Sequence, residues 1–238
     1  MSLELMAAAS STALENPAAS GRMLESSPIH FQEEATAYDA MVRRHAWLLN
    51  RPFVKMLSAS GLKRGRALDI GTGPGWIPIE LALRHPGLEI WAIDASPDML
   101  DAARAHAASA GVAGRIRFIH ADALSLPFEA RGFDLTFSHF MLHHLPHPHR
   151  FFDEVDRVTS ERGRVLIKDL LRQPAWKMAL LLGFSRRILR YNELQLRMYR
   201  ESMHAALTYG ELQAQLRRSR LADARIQGFR GLDYVIAR

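Results

Sequence analysis

The sequence predicts an α/β domain: a three-layer sandwich around a mostly parallel, seven-stranded sheet. Three observations predict it. Short apolar runs alternate with amphipathic helical patterns between residues 66 and 170. Acidic residues follow or end three of those runs in succession. A glycine-rich turn joins the first run to the first helix of the series. Strands alternating with helices imply right-handed crossovers, hence parallel strands covered on both faces.

The elements follow in order. Residues 1–27 are rich in Ala and Ser with scattered Pro and no sustained periodicity, so they read as a disordered tail before a single domain, 28–238. From Ala35 to Ser60 the pattern is helical, with Tyr38, Met41, Val42, His45, Leu48 and Leu49 at three- and four-residue spacing. Pro52 marks a break or the first turn of a second helix. Residues 66–70 form the first strand, 76–84 a helix and 88–93 the second strand. Ser96 is placed to cap a helix whose first position is Pro97 and whose end is set by Gly111 and Gly114. Strands at 116–120 and 133–138, a helix at 149–158 and a fifth strand at 165–170 complete the alternation. Residues 174–219 are a mostly helical insertion, and 224–228 and 234–238 are two closing strands.

Composition bounds the function. The chain has 238 residues, 48% hydrophobic and 24% charged, which suits an ordinary globular domain. It has no cysteine, which excludes disulfides, thiolate metal sites and a cysteine nucleophile; no metal is expected. The first twenty residues carry no Lys or Arg and include Glu4 and Glu15, unlike a secretory signal. The longest apolar stretch, 178–184, is far short of the ~20 residues that span a bilayer. A cytoplasmic protein without a membrane span is expected. Lys and Arg total 31 against 25 Asp and Glu, a net +6 that is either a solvated basic surface or a preference for anionic partners.

The strongest motif is Leu68-Asp-Ile-Gly-Thr-Gly-Pro-Gly75, between the first strand and the helix after it. Gly71, Gly73 and Gly75 permit tight backbone and close ligand approach. The dinucleotide fingerprint needs a glycine where Trp76 stands, and no Gly-Lys-Ser/Thr of a phosphate loop follows. The pattern is D-x-G-x-G-x-G, and a carboxylate at its root suits a ligand with a positive centre. Asp94 ends the second strand, where a carboxylate can accept from both ribose hydroxyls. Asp122 follows the third.

These runs, with Ala-Ile-Asp-Ala-Ser, Ala-Asp-Ala-Leu-Ser-Leu-Pro-Phe, Phe133-Asp-Leu-Thr-Phe-Ser138, His143-His-Leu145 and Gly163-Arg-Val-Leu-Ile-Lys-Asp169, resemble class I S-adenosylmethionine-dependent methyltransferases. The likeness is to the small-molecule group that includes ubiquinone/menaquinone C-methyltransferases and natural-product O-methyltransferases. It covers roughly residues 38–171. It implies a Rossmann-like fold and S-adenosylmethionine as cofactor, with S-adenosylhomocysteine as product. It also implies roles: Asp69, Gly71, Thr72, Gly73 and Gly75 along the methionine part; Asp94 on the ribose, with Ala95 and Met99 nearby; Asp122 and Ala123 on the adenine. Ser138 and His139 would face the sulfonium side, and Tyr38 would close over the cofactor.

Methyl transfer from a sulfonium is an in-line displacement that an enzyme serves by positioning and water exclusion. An acidic O–H or C–H acceptor also needs a base. His139, His143, His144, His147 and His149 cluster after the fourth strand. His143 and His144 are adjacent, so one packs while the other faces the cleft. The resemblance implies His144 as base and Asp169 as its partner. Substrate contacts are expected from His143 and from the insertion, with Tyr199 and His204 singled out.

Two other functions compete with small-molecule O-, C- or N-methylation. One is methylation of RNA or another nucleic acid, suggested by Arg186, Arg187, Arg197, Arg200, Arg217, Arg218 and Arg220. Against it, Ser138-His-Phe-Met141 stands where amino-directed enzymes carry Asn/Asp-Pro-Pro-Tyr/Phe, and aromatic–basic interleaving is missing. The other is a non-catalytic cofactor-binding subunit, which the full set of strand-end acids disfavours.

Overall fold

The computed structural model describes residues 21–24, 32–45, 50–229 and 231–238. Its centre is a seven-stranded sheet in the order β3-β2-β1-β4-β5-β7-β6. The strands are β1 (Arg64–Ile70), β2 (Gly87–Asp94), β3 (Ile116–His120), β4 (Phe133–His139), β5 (Thr159–Leu170), β6 (Arg225–Phe229) and β7 (Asp233–Ala237). Strands β1 to β5 run parallel, and β7 is antiparallel to both β5 and β6. Strand order reverses between β1 and β4, so the crevice for a ligand opens at their carboxyl ends.

Eight α-helices surround the sheet among the described residues: α1 (Gln32–Arg44), α2 (Arg51–Ala59), α3 (Trp76–Arg84), α4 (Pro97–Ser109), α5 (Pro148–Val158), α6 (Ala175–Arg187), α7 (Glu193–Ala205) and α8 (Tyr209–Arg217). Pro52 sits in the first turn of α2, where a missing N–H costs nothing. Ser96 caps α4, its Oγ accepting the Met99 N–H at 3.4 Å. Thr208 and Glu211 form a capping box that starts α8.

Side chains alternate across β1 as a two-sided strand requires. Ala67 packs with Phe53 and Leu57 of α2, Ile77 and Leu81 of α3 and Ala107 of α4. Leu68 and Ile70 pack on the other face with Phe151 and Phe152 of α5, Leu212 and Leu216 of α8 and Tyr234 of β7. Asp69 is the exception within this run, a carboxylate buried to 2% exposure.

The expected bounds hold within a residue or two, except that α1 begins at Gln32, three residues before Ala35, and β5 begins at Thr159, paired with Phe133, before a register shift. Leu48 and Leu49, expected on the first helix, lie outside the described residues, as do residues 1–20 and 25–27 of the expected tail. Residues 21–24 depart from the expectation of disorder. Arg22 is buried to 4% exposure, donating to the carbonyls of Ala205 and, at 2.7 Å, of His143. Met23 N–H reaches the His204 carbonyl at 3.3 Å. A long-range tether of this kind leaves no trace in local periodicity.

Candidate active site

The glycine turn folds back on the sheet because Gly71 and Thr72 both donate to the Ile93 carbonyl at 2.9 Å. Gly71 has φ 75°, open to glycine at little cost, and a side chain there would meet Met141. Gly75, expected in the ligand contact, faces the protein instead: a Cβ there would lie 2.8 Å from that of Ala103 in α4. It serves close helix packing.

Asp69 stands beneath this turn. Its Oδ2 is buried without a hydrogen-bond partner, and so is the Thr72 hydroxyl. Burial, opposed by the neighbouring Thr72 hydroxyl and reinforced by the charge of Asp94, pushes the Asp69 carboxyl from 3.8 up to about 7. Such a group lacks one partner, and a cation is the partner that would satisfy it.

Asp94 closes the turn from β2. Its Oδ2 accepts the Gly73 N–H at 2.7 Å and its Oδ1 the Ser96 N–H at 2.9 Å. Burial pushes this carboxyl up as well, against the pull of those two amides. Asp122 is exposed and accepts the Leu124 N–H at 2.8 Å. Asp69, Asp94 and Asp122 line one cavity of about 510 Å³ together with Tyr38, Gly71, Thr72, Gly73, Ala95, Met99, Ala123 and His139.

Helix α1 roofs this end. The Trp76 indole N–H donates to Asp39 Oδ1 at 2.7 Å, and its ring stacks on His106 with centroids 4.2 Å apart. His106 Nδ1 reaches the Pro74 carbonyl at 2.9 Å. The residue that breaks the dinucleotide fingerprint therefore fastens the roof to the glycine turn, which places Tyr38 at the cavity wall.

The far end lies between β4, β5 and the insertion. His139 stacks on Phe53 with centroids 4.7 Å apart. Phe140 adopts φ 55°, a costly backbone for a bulky residue, and Lys168 Nζ lies 5.0 Å from its ring. Lys168, 2% exposed, pairs with Asp233 at 3.1 Å, and both border the cavity. Tyr191 and Tyr199 border it too, and burial pushes both phenols up. The Lys168–Asp233 pair was not anticipated, although a lysine inside an apolar strand is a readable anomaly.

Three expected placements need correction. Asp169 pairs with His143, not His144: Nδ1 and Oδ1 are 2.7 Å apart, and Oδ2 accepts the His143 N–H at 3.1 Å. A short 3-10 turn, Leu142–His144, carries both rings with their centroids 4.2 Å apart; His143 is the more buried of the two, and both border the cavity. His144 stays half-buried at the cavity wall, within electrostatic reach of Asp94. Ser138 is not at the cavity; its hydroxyl donates to the Ile70 carbonyl at 2.8 Å and ties β4 to β1. His204 is likewise absent from the lining, whereas Arg197, Met198, Tyr199 and Ser202 of the same helix are in it.

A doubly wound sheet with acids at the tips of neighbouring strands beside a glycine turn defines the nucleotide-binding α/β class. Comparison narrows the class. A methyltransferase-domain family model matches residues 68–167. A release factor glutamine methyltransferase of Chlorobaculum tepidum is 50% identical over 91 residues, covering 36% of this chain and 31% of that protein. A demethylmenaquinone methyltransferase of Thermus thermophilus is 30% identical over 146 residues, 60% of this chain and 66% of its own length. The chain thus spans from about a third to two thirds of these relatives. In fold it is similar to a SAM-dependent methyltransferase from Aquifex aeolicus, with TM-score 0.62, 18% identity and coverage of 86% and 96%. The chain belongs to the class I S-adenosylmethionine-dependent methyltransferases.

Proposed function

We propose that the protein transfers a methyl group from S-adenosylmethionine to a small-molecule acceptor. Asp69 carries this reading. It is a buried carboxylate with one unpartnered oxygen at the root of a glycine turn, ready for a ligand that brings positive charge.

The residues fit that ligand. Asp69 and the Gly71–Gly73 backbone would hold its methionine part, Asp94 its ribose, and Asp122 with Ala123 its adenine. When bound, the group supplies an electrophilic methyl on a cationic sulfur. The chain does the rest by placement. The Trp76–Asp39 link holds α1 over the site and keeps water out. Leu181, Phe184 and Leu189 of the insertion, with Met198, give the acceptor an apolar wall, and Tyr191 and Tyr199 give it polar tips. This wall favours a compact, partly apolar acceptor over a polyanion. His144, half-buried at the cavity wall, is the candidate to take a proton, and His143 beside it, paired with Asp169, borders the same cavity. Asp169 acts as a positioning residue for the turn that carries His144. The names of the relatives in menaquinone and malonyl-[acyl-carrier protein] methylation support an acceptor outside nucleic acid.

Calorimetry with S-adenosylmethionine and S-adenosylhomocysteine tests the donor, and labelled methyl transfer into a cell extract tests the acceptor. Heat of binding with both ligands and label in the small-molecule fraction are expected. No heat and no thermal shift with either would remove the reading. Label confined to RNA or protein would remove the acceptor class.

A further inference from the structure

We propose that helix α6 docks on an anionic lipid surface. Trp176, Leu180, Phe184 and Ile188 form a single row at four-residue spacing, exposed to 67%, 64%, 50% and 65%. Residues four apart stack along a helix, so this is one continuous ridge, unlike the isolated apolar residues that dot ordinary surfaces. The inner side of the same stretch carries Leu181 and Ser185, which wall the cavity. The helix is apolar on both sides, a pattern that calls for cover on both. No described residue covers the outer one.

Charge indicates what does. Arg186 and Arg187 lie in the last turn and Arg190 just beyond it. Arg186 shares Glu193, whereas Arg187 and Arg190 are exposed and lack an acidic partner among the described residues. An apolar row with Trp at one end and arginines at the other is the composition of a helix lying in a membrane interface with anionic headgroups beside it. A second copy of the chain would set the same arginines against each other, and a nucleic acid would leave the ridge uncovered. With 13 residues, α6 is too short to span a bilayer and would lie along it.

Phe184 belongs both to the ridge and to the cavity wall. Docking therefore turns the cavity mouth toward the bilayer. Entry of an apolar acceptor from the lipid follows, and this step alone rests on the methyl-transfer reading.

The full chain is sedimented with vesicles of phosphatidylcholine, alone or mixed with phosphatidylglycerol. Binding to the mixed vesicles, weakened by salt, is expected. The double variants Trp176→Glu/Leu180→Glu and Arg187→Glu/Arg190→Glu should each lower partitioning by about tenfold or more. Neither pair lines the cavity, so Tm and calorimetric cofactor binding should not change. Intact cofactor binding with no vesicle binding overturns the docking and leaves methyl transfer standing. Vesicle binding without cofactor binding supports the docking and removes methyl transfer. A dimer that Trp176→Glu/Leu180→Glu dissolves, or RNA binding lost only in the arginine variant, would overturn the lipid surface where vesicles fail to bind.

Discussion

Replacing Asp69 with asparagine should strengthen the ligand-free fold above pH 7 while weakening its hold on the donor. Burial raises this carboxyl from 3.8 to about 7. A shift of about three units corresponds to about 4 kcal/mol between the charged and neutral forms. The folded state keeps its proton between about pH 4 and pH 7, where the unfolded chain has lost it. Wild-type stability therefore falls as pH rises through that window, and the full penalty stands above it. Asparagine keeps the shape and drops the charge. Even if the amide recovers only half, the gain at pH 8 is about 2 kcal/mol, or roughly 4–8 °C in Tm for a chain of this size. At pH 4 the gain should vanish. Thermal melts at the two pH values read this. Calorimetry at pH 8 should then show S-adenosylmethionine bound about ten- to a hundredfold more weakly, the loss of one charge-assisted contact of about 1.5–3 kcal/mol. A variant destabilised equally at both pH values, or binding the donor undiminished, would refute the reasoning.

Asp94→Ala removes the acceptor of the Gly73 and Ser96 amides, so calorimetric donor binding should weaken by about 1.5–3 kcal/mol. His143→Ala takes the imidazole from buried Asp169, leaving it the amides of residue 143 and Leu170, and should cost about 1–3 kcal/mol of folding stability, read from the urea midpoint. His144→Ala should spare that midpoint and lower turnover with a true acceptor; unchanged turnover would remove it as the base. Trp76→Phe loses the bond to Asp39, about 1 kcal/mol, and should speed amide exchange in α1 without altering exchange in β1.

The sheet, and the gathering of the strand-end acids around one cavity, were legible because each rests on local chemistry. Glycines and strand-end acids bracket β1 and β2, and Ser96 with Pro97 marks the start of α4. The errors arise where a single residue's direction decides. Side chains alternate along a strand, so Ser138 and His139 cannot both face the cavity; the period-two rule alone could have separated them. His143 and His144 sit in a 3-10 turn with their rings in contact, 4.2 Å between centroids, and sequence gives no phase to tell which of the two takes Asp169. Lys168 announced itself as a charge in an apolar run, but its partner Asp233 comes from a strand across the whole insertion.

Arg22 gives the polypeptide a less obvious boundary than its composition draws. The guanidinium bridges the carbonyls of His143 and Ala205, so it clamps the histidine turn to the end of α7 from outside the compositional domain. Trimming the gene at the point where alanine- and serine-rich sequence gives way to helix would delete that clamp. The shortened protein would keep every strand and every donor-binding acid, yet its acceptor wall would be free to drift from the catalytic turn.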